Sequence, residues 1–379
     1  MDSPHLGIYL HIPFCKSKCA YCAFDSYRHS EDRMASYVAA VCTEIERSAR
    51  VYENRRIESV FFGGGTPSLL SPEQAQNLLT ALERSGYFLN GAEITIEANP
   101  GTVTLSLLEG YRDVGINRIS FGAEILDDTA LQALGRIHLT EDVAAAVRWA
   151  RAAQFENVNL DFIYGLPGQT LAIWRQTLKA ALDLEPDHIS AYALQLEEGT
   201  RLTHDVAAGR LTIPSDDEVL DMEKEGIRML ASRKYVRYEI SNYARPGKQC
   251  RHNLLYWHHD NVRGFGSSAH SYINGRHITN ICRPEEYNAR IHAGQSPAAS
   301  EESLDLHTRA REAIAFGLRL MDGVSLDGVA ARYGVTVRQD LLQPLSQLKA
   351  EGLVVEEGDR LKLTSLGIRF ADRVGMAVV

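Results

Sequence analysis

Three thiols stand within eight residues near the start of this chain, at Cys15, Cys19 and Cys22, just behind the apolar run from Gly7 to Ile12. Thiolates are soft ligands and hold iron–sulfur clusters. A [4Fe–4S] cluster normally takes four. The spacing C-x3-C-x2-C offers three, and Phe24 stands where a fourth would follow. A cluster held by three cysteines keeps one iron open. That iron can chelate a small molecule through an amine and a carboxylate, and can pass it one electron. On spacing alone two other readings stand beside this one. A Cys3His zinc site could be completed by His11 or His29, or two cysteines are simply buried and the third is a bystander.

Other residues carry chemistry at a distance from the thiols. Gly63-Gly-Gly-Thr-Pro67 follows the apolar run from Ile57 to Phe62. Three glycines in a row make a flexible turn, or let a ligand lie against bare backbone N–H and C=O groups. Glu97 ends an apolar strand, and Asp161 sits within Leu-Asp-Phe-Ile. A carboxylate in such a place is unfavourable unless paired. Arg118 or Arg136 would be structural partners; a polar ligand would be a functional one. Arg136 itself is either a surface arginine or a two-pronged grip on a carboxylate. His138, His252, His258, His259 and His270 are each more readily hydrogen-bonded residues than ligands. Their density beside Tyr256 and Trp257 suits a flat aromatic ligand or a haem iron.

These residues need elements to hold them. After the cysteines, residues 31–51 have amphipathic helical spacing with Ser30 as N-cap. Strands are expected at 57–62, 92–97, 117–121, 157–163 and 188–194. Helices are expected at 71–85, 104–114, within 127–153, and at 170–184. With the opening strand this makes six β-then-α units in the first 200 residues, an α/β fold with a parallel sheet. Six units fit a partial (β/α)6 barrel better than a closed eightfold one, which takes ~250 residues. The candidate residues fall on the loops after strand ends, where such folds do their work.

Beyond the barrel, 200–235 reads as a charged helical connector. Tyr238–Tyr243 reads as a strand, followed by a polar and aromatic loop from Cys250 to Ser271. Helices at 306–320, 325–333 and 338–351 and a hairpin over 353–363 suggest a winged-helix-like end piece. Its basic residues Arg338 and Lys349 are balanced by Asp340 and Glu351, which argues against DNA reading. The expected division is 1–200 for the barrel, 201–304 for an α+β extension, and 305–379 for the end piece.

A net charge of −9 argues against broad nucleic-acid binding and against a basic membrane-surface anchor. Cys42, Cys250 and Cys282 are scattered, so the six cysteines suggest a cofactor in a reducing compartment, not a disulfide framework. No uninterrupted apolar stretch reaches membrane-spanning length, and no signal peptide is evident at the start.

Taken together, Cys15-x3-Cys19-x-Tyr21-Cys22 and Gly63-Gly-Gly-Thr-Pro67 resemble the radical S-adenosylmethionine (SAM) superfamily, over nearly the whole chain. Within it the chain resembles the branch of oxygen-independent coproporphyrinogen III oxidase. That resemblance implies a [4Fe–4S] cluster on the three cysteines, with SAM on the open iron cleaved to a 5′-deoxyadenosyl radical. It implies Gly64, Gly65 and Thr66 at the SAM amino group and Tyr21 near the adenine. Glu97 and Arg136 would lie near the methionine part, with Asp161 near a ribose. The oxidase has a further Cys where this chain has Phe24, so its activity on coproporphyrinogen III is not expected. His252-Asn-x-x-Tyr-Trp257 is similar to the HNxxYW signature of the HemW group of haem chaperones. This implies haem as a second ligand, with His252 the leading haem-associated residue, and a respiratory protein as recipient. It also implies an electron donor such as flavodoxin or ferredoxin, and a cytoplasmic place with contact at the inner membrane face. One departure stands out: relatives carry Val-Gln-Ser where this chain has Ala123-Glu124-Ile125, putting a negative charge near SAM. The alternative is a HemN-like methyltransferase or cyclopropanase that uses two SAM molecules on a small-molecule natural product. A zinc-stabilised binding protein is a third reading.

Overall fold

The computed structural model describes residues 5–48 and 57–379. One sheet of twelve strands carries the molecule. Its first six are β1 (Leu6–Ile12), β2 (Ile57–Gly64), β3 (Glu93–Ala98), β4 (Arg118–Glu124), β5 (Val158–Tyr164) and β6 (His188–Ala193). These run parallel, each beside the next. The later strands are β7 (Val236–Arg237), β8 (Asn242–Ala244), β9 (Asn261–Phe265), β10 (His270–Ile273), β11 (Arg276–Asn280) and β12 (Ala298–Ser303). The spatial order is β12-β11-β10-β9-β1-β2-β3-β4-β5-β6-β8-β7. β9 returns to pair in parallel with β1, while β7, β8 and β10–β12 extend the two edges antiparallel.

Helices α1 (Glu31–Ser48), α2 (Pro72–Arg84), α3 (Leu105–Asp113), α4 (Asp128–Ala133), α5 (Thr140–Ala152) and α6 (Leu171–Asp183) follow the strands in alternation. The expected 31–51 helix is seen to Ser48; its last three positions lie outside the described residues. α2 starts where a capping box forms between Ser71 and Gln74, and Thr170 caps α6. Side chains alternate along the strands. Leu6, Ile8, Leu10 and Ile12 belong to the apolar core, as do Val60, Phe62, Ile94 and Ile96. The residues between them face inward, and that interior is polar: Ser59, Glu93, Thr95, Arg118, Ser120, Asn159, His188 and Ser190 are all buried.

Two expectations need correction. The strand over 238–243 is instead a hairpin of β7 and β8. Glu239 is buried at the turn and accepts the Ser241 N–H at 2.8 Å, which bends the chain there. The stretch from Cys250 to Ser271 is not a loop. Arg251–Trp257 is a helix, opened by Glu93 accepting the N–H groups of Arg251 (2.9 Å) and His252 (3.3 Å), and β9 follows it.

The connector contains the helices Arg201–Ala207 and Asp216–Ser232. The end piece has its own apolar core, including Ile314, Leu326, Leu345, Leu361 and Val374. Its third helix breaks at Leu341 into Val337–Asp340 and Leu342–Ala350. The hairpin Val354–Glu357 and Arg360–Leu363 is joined by Val324–Ser325 into a three-stranded sheet. Two further helices, Ser365–Arg369 and Ala371–Val378, close the chain. Arg338 pairs with Asp327 and Glu356, and Lys349 with Glu356, so these basic side chains are engaged within the end piece. No helix among the described residues is long and apolar enough to cross a membrane.

Candidate functional site

The C-terminal ends of the parallel strands open on a cavity of about 1140 Å³. Cys15, Cys19 and Cys22 line it, with Tyr21, Gly64, Gly65, Thr66, Glu97, Glu124, Arg136 and Asp161. Six segments thus meet at one mouth, because each follows or ends a strand of the same sheet.

The cysteine loop lies against the glycine turn. Gly65 N–H donates to Ile12 O at 2.8 Å. A Cβ on Gly65 would stand 2.8 Å from Phe14 O and 3.0 Å from Cys15 Sγ. Gly64 has φ 113°, and a Cβ there would meet the His11 ring at 2.7 Å. Neither position tolerates a side chain without movement. Thr66 Oγ1 donates to Cys15 Sγ at 3.3 Å, and Arg136 Nη1 to Cys19 Sγ at 3.4 Å. Burial pushes the Cys15 and Cys22 thiols up, so binding there must exchange protons for metal.

These features fit a cluster. The thiols are partly exposed and face one cavity, and two of the sulfurs accept hydrogen bonds. Among the described residues, no three His, Cys, Asp or Glu side chains are placed to hold a single metal ion. A mononuclear zinc site needs its ligands converging on one point, whereas a cluster takes thiolates spread over separate irons. His11, a proposed zinc ligand, instead lies under Gly64 with Nδ1 3.1 Å from Tyr9 Oη. His29 Nε2 lies 3.4 Å from Glu31. Loaded with a cluster and SAM, the rim has a one-electron donor beside a cleavable sulfonium. The protein's own part is to hold charge and exclude bulk around it.

Neither inner carboxylate has an arginine as hydrogen-bond partner. Glu97 accepts the Gly64 N–H at 3.2 Å. Burial, reinforced by the charge of Asp161, pushes its pKa up to about 8. Asp161 accepts from Ser120 Oγ at 2.6 Å and from Asn159 Nδ2 at 2.8 Å. Arg118 is buried deeper, toward Glu93 and Cys250. Glu124 is different. It has φ 63° at a bulge in the β4–β5 ladder, and its carboxylate lies 3.4 Å from Arg136. Arg136 also donates to Gly122 O at 2.6 Å. Burial pushes the Glu124 carboxyl up, against the pull of Arg136. The extra negative charge noted in the sequence is therefore paired within the protein.

The structure does not bring the histidines to the mouth. His252 is buried in the barrel interior, with Nδ1 2.8 Å from Ser59 Oγ and Nε2 3.2 Å from Tyr256 Oη. Its ring stacks on Phe61 at 5.0 Å. Burial lowers its pKa to about 3, so it is neutral. His138 is buried beneath Gly101. His258 lies at the C-terminal end of its helix, His259 bonds Tyr333 and Glu312, and His270 lies 3.0 Å from Thr279.

The far lobe of the cavity has residues that the sequence did not single out. Tyr192, Arg237 and Ile240 come from the strand ends and the β7–β8 turn; Arg319, Arg369 and Phe370 come from the end piece. No local motif marks them: the first three meet through the sheet, and the packing of the end piece over the mouth brings the other three.

Comparison with known proteins agrees with this architecture. Residues 9–181 match the radical SAM superfamily model, and residues 304–370 match the HemN C-terminal domain. The solved structure of Escherichia coli coproporphyrinogen III oxidase, HemN, superposes with a TM-score of 0.86. That match covers 99% of this chain and 91% of that one at 24% identity, which speaks to the fold. Haem chaperone HemW of Bacillus subtilis is 32% identical over 95% of both chains. Haem chaperone HemW of Mycobacterium tuberculosis is 35% identical over 99% of this chain and 95% of its own. With that likeness along nearly its whole length, the chain belongs to the HemW family of haem chaperones within the radical SAM superfamily.

Proposed function

We propose that this protein is a haem chaperone. It holds a [4Fe–4S] cluster on Cys15, Cys19 and Cys22 and SAM on the rim beside them. It takes up haem in the remaining cavity and passes it to a respiratory-chain protein. The observation that carries this is the cavity itself. At about 1140 Å³ it exceeds the ~300–1,000 Å³ of ordinary small-molecule sites, and the rim fittings use only one end of it. The relatives named haem chaperones match this chain almost end to end, end piece included.

Within this reading Gly64, Gly65, Thr66 and Glu97 hold the amino-acid part of SAM. Tyr21 lies by the adenine, Asp161 takes a ribose hydroxyl, and Arg136 and Glu124 together set the charge beside Cys19. His252 holds the barrel interior by its two hydrogen bonds and does not ligate iron. An electron donor such as flavodoxin or ferredoxin reduces the cluster. The site of action is the cytoplasm, at the inner membrane face where a respiratory recipient matures.

The test is anaerobic reconstitution of the cluster, then a haem titration followed by visible spectra, on wild type and His252→Ala. A saturable Soret band is expected in both. Haem that fails to saturate a cluster-loaded wild type overturns the chaperone reading. A folded His252→Ala that loses the band would instead put His252 on the haem. The same variant should be about 2–4 kcal/mol less stable in denaturant, because Ser59 and Tyr256 lose their partner and the ring leaves a void.

A further inference from the structure

Four arginines line the cavity: Arg136, Arg237, Arg319 and Arg369. Two are engaged. Arg136 bonds Gly122 O and Cys19 Sγ, and Arg237 bonds Ile240 O at 2.9 Å and Glu223 at 3.1 Å. The other two have no side-chain hydrogen bond among the described residues. Arg319 lies over the Trp257 ring at 4.7 Å, and its Nε is buried without a partner. Its nearest acid, Asp372, is 3.7 Å away and 77% exposed, too far for a hydrogen bond. Glu239 also lies near Arg319; its Oε1 accepts the Ser241 N–H and its Oε2 is buried without a hydrogen bond. Arg369 has no hydrogen bond or ion pair among the described residues.

A guanidinium carries five donors in a planar fork that matches a carboxylate. Two such forks without hydrogen-bonded partners, on different elements, face one lobe. Val219, Leu220, Ile240, Ile368 and Phe370 line the same cavity and suit an apolar body; of the acids beside them, Glu223 is paired with Arg237, Asp372 lies by Arg319, and Asp216 is the third. The chemistry recognised is thus a flat apolar ligand with two carboxylates. We propose that Arg319 and Arg369 hold the two propionates of haem, its ring lying between the β7–β8 turn and the segment 368–370. This rests on the haem-chaperone reading and gives it an address: haem enters propionates first, under the end piece, at the side of the cavity away from the cysteines. Asp372 swings away from Arg319 as the propionate arrives.

The test uses the full-length, cluster-loaded chain and two probes, haem and its dimethyl ester, which lacks the carboxylates. Wild type, Arg319→Gln, Arg369→Gln and the double variant are titrated with each. Each single change should weaken haem about tenfold, and the pair more. The ester should bind wild type weakly and be indifferent to the substitutions. Arg369 supports no packing contact through its charge, so Arg369→Gln keeps the test valid if the loss of Arg319 from Trp257 disturbs folding. Haem binding unchanged in Arg369→Gln, or an ester that binds wild type as tightly as haem, would overturn the assignment while the chaperone reading stood. A wild type that binds neither probe would remove both.

Discussion

Glu97 sits where its charge is opposed on two sides, by burial and by Asp161, and its pKa stands at about 8. An acid whose folded pKa lies above its unfolded value of 4.5 favours the folded state most when protonated. That contribution is full below about 4.5, is lost as pH rises to about 8, and is flat above. The slope is at most about 1.4 kcal/mol per pH unit. Unfolding of the cluster-free protein in urea between pH 6.5 and 8 should therefore show falling stability in wild type and a flatter profile in Glu97→Gln. Equal slopes would mean that Glu97 titrates normally. His252 works the other way: lowered to about 3, it costs stability as pH falls from 6.5 to about 3, so the two oppose each other between 4.5 and 6.5 and the Glu97 slope is clear of His252 only above 6.5. Glu124 shows how a buried carboxylate at the rim is accommodated. Its left-handed backbone turns the carboxylate onto Arg136, which reaches Cys19. One negative and one positive charge replace what would be a lone guanidinium beside a thiolate.

The element that limits the rim is the turn after β2. Gly65 leaves no space for a methyl group between Phe14 O and Cys15 Sγ. Gly65→Ala should keep the fold, because the clash falls on a partly exposed loop, yet move Cys15. Reconstituted protein should then carry well under half the wild-type iron and sulfide, by chemical assay; full loading would show that the loop gives way freely. This turn was legible in the sequence, as were the six barrel strands, because both depend on local pattern: an apolar run, a glycine stop, a helical repeat. The helix Arg251–Trp257 and β9 were not. The helix starts on the distant Glu93 side chain, and β9 exists because β1 offers it an edge, and neither cause lies near in sequence. The surroundings of the histidines were illegible for a related reason. Ser59 holds His252 and Glu312 holds His259, partners that only the fold supplies.

At the scale of the molecule, the end piece is joined to the rest through Glu312, which bonds His259 and His277, each at 3.1 Å. These histidines hold the Glu312 carboxyl down to about 2, and Glu312 raises His277 in return. Glu312→Gln should destabilise the protein by about 2 kcal/mol in thermal unfolding, and more below neutral pH, where His277 is charged. An unchanged melting temperature would show that the joint is carried by its other contacts, such as Arg332 on Asp260 and the Met321 N–H on Tyr238 O. The far lobe of the cavity was illegible in the sequence because it is made only when this joint closes. The return of β9 to the side of β1 also sets an order in time. The cysteines follow β1, while β9, the strand that flanks β1 on the other side, follows only after the six parallel barrel strands have been made. At ~5–20 residues per second the wait is on the order of ten seconds to a minute. Through that interval the thiols are present on a scaffold whose β1 edge is still open.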